Sequence, residues 1–231
     1  MPFPGIPEDV LASLEEPNPL DLGLLRQAVE ACADPPDAPL AALVDYGKLL
    51  LAANRVTNLT GARDWRTLIE CHLLDCALAA AFVPDDVRTV VDWGSGAGLP
   101  GLVWAALFPE KELLLCERNG KKAEFLTEAA LRLELPNVEV LAGQAEERLA
   151  LEEDRPELIV ARAVEPLAKL LGRLRRNRVR FQALFLMAGP RFEADWEQLG
   201  DERRASWKLA ARHRYSLGAH GERWVAVLRP R

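Results

Sequence analysis

The sequence predicts an α/β fold built on an open, mostly parallel, doubly wound sheet that closes with an antiparallel hairpin. Three observations carry this. After Pro84, short apolar runs alternate with helical patterns, as strand–helix–strand units do. The first such run passes straight into a glycine-rich loop, the place where sheets of this kind hold ligands. The chain's 231 residues, 49% hydrophobic and 28% charged, suffice for one good core, or for one core with a small appended subdomain.

Residues 1–39 contain eight of the 16 prolines and several acids, which predicts a loosely structured, proline-rich extension around one short helix, Asp21 to Ala31. Residues 40–84 predict a helical cap. Leu40, Leu43, Val44, Leu50 and Leu51 recur at helical spacing, and a second helix, about Trp65 to Phe82, presents Leu68, Ile69, Leu73, Cys76 and Ala80 on one face. Residues 85–231 form the sheet domain. Its parallel strands are expected at Thr89 to Val91, Glu112 to Cys116, Val138 to Leu141, Leu158 to Ala161 and Ala183 to Met187, with a helix from about Lys121 to Leu133. Ala211 to Tyr215 and Trp224 to Leu228, joined by a turn at Gly218 to Gly221, form the hairpin.

No stretch of about 18 uncharged apolar residues exists, and the N-terminus lacks a basic, apolar signal sequence, so neither membrane insertion nor export is expected and the location is cytoplasmic. Cys32, Cys71, Cys76 and Cys116 form no C-x-x-C pair, which argues for reduced, small apolar side chains and no metal. The net charge of −6 hides an asymmetry. Residues 1–160 carry −15 and residues 161–231 carry +9, a hint of a polyanion-binding face. Arg173, Arg175, Arg176, Arg178 and Arg180 form one basic cluster. Arg203, Arg204, Lys208, Arg212, His213 and Arg214 form another, with Trp207 available to stack on a base.

The loop runs Asp92-Trp-Gly94-Ser-Gly96-Ala-Gly98-Leu-Pro-Gly101. Glycine tolerates positive φ and lets backbone approach a ligand; Gly98→Asp is expected to abolish binding by filling that space. Pro100 suits the first turn of a following helix. Gly96-x-Gly98-x-x-Gly101 with Glu117 some 20 residues on also fits a dinucleotide fingerprint. Against that, a carboxylate at Asp92 pointing into the pocket would crowd a pyrophosphate, yet would attract the amino or sulfonium end of S-adenosyl-L-methionine. Glu117 can accept ribose hydroxyls under either reading.

Asn58-Leu-Thr60, His72-Leu-Leu-Asp75, the glycine loop, Lys121-Lys-Ala-Glu-Phe-Leu126 and Ala161-Arg-Ala-Val164 occur in that order and at fixed spacings. Over about residues 41–190 this resembles the bacterial 16S rRNA guanine-N7 methyltransferase family, also called the glucose-inhibited division protein B family. The resemblance implies a Rossmann-like class I methyltransferase sheet, S-adenosyl-L-methionine as cofactor, and small-subunit ribosomal RNA or the 30S particle as partner. It also implies cofactor contacts from Gly94, Leu99, Ala145, Glu146 and Arg162, which join Asp92, Gly96, Gly98 and Glu117 expected from the loop itself. Catalytic candidates are Asn58, His72, Asp75 and Arg162; His72 and Asp75, at i and i+3, could also simply pair with each other. Lys121 and Lys122, unfavourable at a helix start, are read as facing RNA phosphates together with the first arginine cluster. The active species is expected to be a monomer. Alternatives are a methyltransferase acting on another RNA or a small molecule, and a cofactor-binding protein that docks on ribosomal subunits without turnover. Three positions depart from the family pattern. Gln144 stands where an Arg is common, Met187-Ala-Gly-Pro replaces a Lys-Gly, and Gly172 to Arg180 stands in place of the helix before the fifth strand.

Overall fold

The computed structural model describes residues 3–151 and 155–231. Seven strands form one sheet: β1 (Thr89–Trp93), β2 (Glu112–Glu117), β3 (Val138–Ala142), β4 (Leu158–Arg162), β5 (Ala183–Ala188), β6 (Trp207–Ser216) and β7 (Glu222–Pro230). Their order is β3-β2-β1-β4-β5-β7-β6. β1 to β5 run parallel, and β7 lies antiparallel to both β5 and β6. Chain progression reverses between β1 and β4, which leaves a crevice beyond their carboxyl ends.

Alternate residues of each strand face opposite layers. Val90, Leu113, Leu115, Leu158, Val160 and Phe185 face one core, whereas Val91, Cys116, Ile159, Leu184 and Leu186 face a second. The first core also takes in α6 (Gly101–Leu107), α7 (Gly120–Arg132) and the helices before β1. The second is covered by α8 (Ala145–Leu151), α9 (Leu167–Arg176) and α10 (Phe192–Glu197). A short α11 (Asp201–Ala205) leads into β6. No described helix is long and apolar enough to cross a membrane.

Three elements differ from the sequence reading. The N-terminal segment is not loose: α1 (Glu8–Ser13) and α2 (Pro19–Glu30) precede α3 (Asp37–Ala53). Leu25, Ala28 and Val29 of α2 lie in the same core as Val90 and Phe125. The prolines start helices instead of preventing them, with Pro7 and Pro36 at N-caps and Pro19 in a first turn, where no amide hydrogen is needed. The segment is fastened at its tip, where Phe3 meets Phe125 edge-on at 5.9 Å and Glu8 pairs with Arg132 at 2.6 Å. Met1 and Pro2 lie outside the described residues.

The helix expected from Trp65 onward is α4 (Trp65–Leu68), a π-helical turn (Ile69–Leu73) and α5 (Leu74–Ala80). Finally, Gly172 to Arg176 is helical after all. Leu167, Leu170, Leu171 and Leu174 recur at i, i+3, i+4 and i+7, so α9 buries a leucine stripe while its arginines take the remaining faces.

Candidate active site

A cavity of about 680 Å³ opens over the ends of β2, β1 and β4, a size typical of small-molecule sites. Its floor is the glycine loop, and most of the loop's amides are used internally. Gly94 and Ser95 both donate to the Cys116 carbonyl at 3.0 Å, and Gly98 and Leu99 donate to the Ser95 carbonyl. Gly96 donates to Glu117 Oε2 at 2.9 Å. From below, the buried Tyr46 of α3 donates its hydroxyl to the Ala97 carbonyl at 2.6 Å. Gly94, Gly96 and Leu99 line the cavity.

Asp92 and Gly98 do not. Asp92 is 1% exposed, and its Oδ2 accepts the Gly101 amide at 3.0 Å, so the carboxylate sits under the start of α6 and does not reach toward a ligand. Burial, partly offset by that amide, pushes its pKa up to about 7. Gly98 has φ +96°, and a Cβ there would stand 2.6 Å from Leu102 Cδ1 and 3.0 Å from Leu126 Cδ2. Its glycine requirement comes from the apolar core beneath the loop and not from ligand space. Pro100 is the N-cap of α6, one step ahead of its first turn.

Glu117, at the end of β2, borders the cavity with both oxygens oriented, Oε2 by the Gly96 amide and Oε1 by the Asn119 amide at 2.7 Å. Each oxygen keeps a lone pair for a hydroxyl donor. Ala145 and Glu146 border the same side, beside Gln144, whose amide donates to Glu147 Oε1 at 2.9 Å. Glu165 also lines the cavity. Its buried Oε1 lacks an aligned hydrogen bond, although Arg173 Nε lies 3.2 Å away.

The far wall is organised around Arg162, at the end of β4. Its Nε donates to Asp75 Oδ2 at 2.9 Å, and its Nη2 donates to the Cys71 carbonyl at 3.1 Å and lies 3.3 Å from His72 Nδ1. The Tyr215 hydroxyl, arriving from β6, donates to the other Asp75 oxygen at 2.7 Å. His72 and Asp75 are therefore joined through Arg162. His72 lines the cavity. Burial, reinforced by the Arg162 charge, lowers its pKa to about 4 and keeps it neutral. Ala163, the next residue, has φ +52°, a conformation uncommon outside glycine and concentrated at functional sites.

Asn58 is exposed and meets only Arg63 weakly, at 3.4 Å; its neighbours Leu59, Thr60 and Gly61 line the cavity instead. The residue that shapes this loop is Asn54, just past α3. Its Oδ1 accepts from the Leu59 and Thr60 amides, and its Nδ2 donates to Thr60 Oγ1 and the Ala62 carbonyl. Sequence reasoning missed Asn54, Tyr46 and Tyr215. A polar residue closing an apolar helix was the one available signal, and it pointed only to Asn54.

The basic clusters are partly spent. Arg173 pairs with Glu165 and approaches Glu146 at 3.9 Å; Arg204, Arg212 and Arg214 pair with Asp201, Glu193 and Glu222. Trp207 cannot stack on a base, because it is 6% exposed and packs on Phe181, and His213 stacks on Phe82. Because α9 returns antiparallel to β4, Arg175 and Arg176 lie at the end of the sheet away from the cavity, with Arg178 and Arg180 just beyond them. Lys121 is exposed at the start of α7, and Lys122 lines the cavity. Among the described residues, no group of three or more His, Cys, Asp or Glu could hold a metal ion.

Comparison with known proteins adds kinship to this geometry. The family model for rRNA small subunit methyltransferase G matches residues 39–214. A ribosomal RNA small subunit methyltransferase G from Halorhodospira halophila is 39% identical over 164 residues, 71% of this chain and 76% of that protein. One from Marinobacter nauticus is 33% identical over 197 residues, 83% of this chain and 86% of that protein. Among solved structures, a delta-N METTL16 MTase domain shares the fold with a TM-score of 0.54 at 13% identity, over 84% of this chain and 97% of that one.

Proposed function

The chain belongs to the rRNA small subunit methyltransferase G family, and from that premise we propose that it methylates guanine N7 in small-subunit (16S) ribosomal RNA with S-adenosyl-L-methionine. The observation that carries the cofactor assignment is the internal use of the glycine-loop amides. A dinucleotide's pyrophosphate is held by free backbone N–H groups at such a loop. Here the amides of Gly94, Ser95, Gly96, Gly98 and Leu99 are already donated to Cys116, Glu117 and Ser95. The cavity thus suits a phosphate-free nucleoside. Glu117 takes the ribose hydroxyls, Ala145 and Glu146 flank the base, and Gly94, Gly96 and Leu99 admit the amino-acid end.

S-adenosyl-L-methionine, when bound, supplies a sulfonium methyl that passes to the N7 lone pair while the C–S electron pair stays on sulfur. N7 carries no proton, so the protein needs to align the two partners and has no base to provide. The neutral His72, and Arg162 with its Nε and Nη2 engaged by Asp75, Cys71 and His72, are consistent with that division of labour. Asp75 and Tyr215 hold Arg162, and Asp92 holds the loop, each acting through another group.

Arg118, Lys122 and Lys169 line the cavity, with Lys121 exposed beside Lys122, and these take the first RNA phosphates. Arg175, Arg176, Arg178 and Arg180 serve a longer RNA that reaches along α9, with Arg173 committed to Glu165. This reading places a monomer on the 30S particle in the cytoplasm. Nucleoside mass spectrometry of small-subunit rRNA, from cells with and without the gene, tests it. Loss of one 7-methylguanosine in the deletion strain is expected, and an unchanged 7-methylguanosine content would sink the proposal. Calorimetry should show binding of S-adenosyl-L-methionine and none of NAD.

A further inference from the structure

The contact between Arg162 and His72 settles which ring nitrogen of His72 carries the hydrogen. A guanidinium has donors and no acceptor. With Arg162 Nη2 3.3 Å from His72 Nδ1, Nδ1 is the acceptor, and the neutral ring carries its hydrogen on Nε2. Nε2 meets no hydrogen-bond partner among the described residues, while the ring borders the cavity. A general base must turn a lone pair to its substrate. His72 turns its lone pair to Arg162 and leaves an N–H for whatever enters. Asp75 and the Cys71 carbonyl hold Arg162 in place, so this orientation is built in.

The donor also has a defined side. Arg162 ends β4 and Glu117 ends β2, with β1 between them, which separates the two by roughly 10 Å, or two strand spacings. If Glu117 holds the ribose of the cofactor, His72 stands on the side left for the methyl acceptor. Guanine presents N7 and O6, both acceptors, on one edge, whereas adenine presents an amino donor in place of O6. With N7 engaged by the methyl group, O6 is the remaining acceptor on that edge.

We propose that His72 is a specificity-determining residue whose Nε2–H donates to O6 of the target guanine. The assignment rests on the guanine-N7 reading above. A neutral donor suits the reaction, because methylation makes the base cationic, and a protonated imidazole would repel the charge as it develops. Adenine would set its amino group against the His72 N–H, leaving two donors facing each other.

The test uses the full-length protein and small subunits reconstituted with rRNA in which the target guanosine, located by the mapping experiment, is replaced by inosine or 2-aminopurine riboside. Both analogues keep N7, and only inosine keeps O6. For the unaltered protein, inosine should fall within about threefold of guanosine in kcat/KM, and 2-aminopurine should fall by roughly 10- to 100-fold. His72→Ala should lose a similar factor on guanosine and then treat guanosine and 2-aminopurine alike. His72→Gln, which restores an N–H donor, should recover part of the guanosine rate. Cofactor affinity by calorimetry should be the same in all three proteins. Additive losses for His72→Ala and 2-aminopurine would overturn the assignment. Weaker cofactor binding in His72→Ala would overturn it too, by moving the donor to the cofactor's amino-acid end. If the unaltered protein forms no 7-methylguanosine, the guanine reading itself fails and this assignment goes with it.

Discussion

Two glycines of one loop illustrate how much depends on where a single hydrogen points. At Gly98 a Cβ would collide with Leu102 and Leu126, whereas at Gly96 the nearest atom is the Gly94 carbonyl oxygen, 3.8 Å away. Gly98→Ala should therefore cost about 2–4 kcal/mol of folding stability, combining positive-φ strain with overpacking. Gly96→Ala, strained but not crowded, should cost about 1–2 kcal/mol while weakening cofactor binding at the cavity floor. Urea denaturation paired with calorimetry checks this, and equal stability losses would refute it. Asp92 makes a second residue-scale prediction. Its folded pKa of about 7 lies above the ordinary 3.8. Its contribution to stability is therefore complete below about 3.8 and is lost as pH rises through about 7. Asp92→Asn keeps an acceptor for the Gly101 amide without that titration. Relative to the unaltered protein, the variant should gain stability between pH 5 and pH 8, and a constant difference across that range would count against the assignment. His72 slopes the other way. Buried neutral with a pKa of about 4, it lowers stability as pH drops from about 6.5 to 4 in both proteins, so it cancels in the comparison.

Among the elements, the loop after α3 and the terminal hairpin reach the site through single side chains. Asn54 satisfies the Leu59 and Thr60 amides and donates to Thr60 and Ala62, so four backbone and side-chain groups depend on one amide. Asn54→Ala should cost about 2–4 kcal/mol, and hydrogen exchange should accelerate at Leu59 and Thr60 ahead of the sheet. If those amides stay as protected as their neighbours, Asn54 is not what holds the loop. The π-helical turn is the matching device on the other side of the cavity. It carries His72, which meets the same guanidinium as Asp75 of α5, and Tyr215 of β6 braces Asp75 from across the sheet. Neither the turn nor the brace has a sequence signature, because each depends on what stands opposite.

On the scale of the whole molecule, part of the charge asymmetry resolves into local pairs such as Arg173 with Glu165 and Arg212 with Glu193, while Arg118, Lys122 and Lys169 border the cavity. RNA affinity should then depend on salt mainly through the lysines at the start of α7. Each phosphate neutralised adds about 0.7 to 0.9 to the slope of log affinity against log salt. The double variant Lys121→Glu, Lys122→Glu should flatten that slope by at least about 1.4, with cofactor affinity reduced little. Arg175→Glu with Arg176→Glu, at the far end of α9, should change it less. A larger effect from the arginine pair would mean that the RNA runs down the α9 side. The N-terminal helices belong to this scale as well, since α2 closes a face of the core shared with β1 and α7.

What the sequence by itself determined was whatever local chemistry dictates. Short apolar runs after Pro84 specified the parallel strands, and the loop from Asp92 to Gly101 specified where the cavity opens. Glu117 at the next strand end specified what could hold a ribose. What only the tertiary structure decided was which groups remain available once the chain has packed. Asp92 and Gly98 sit in the right motif yet serve the core and the start of α6, because the buried side of the loop needs satisfying as much as the open side does. Arg173, Arg212 and Arg214 read as an RNA face until the fold brings Glu165, Glu193 and Glu222 against them. His72 read as a candidate catalyst, and the guanidinium 90 positions away determines that it offers a hydrogen and not a lone pair. Periodicity and turn chemistry are set by neighbours along the chain, whereas hydrogen-bond satisfaction and charge pairing are set by neighbours in space, and those exist only in the folded molecule.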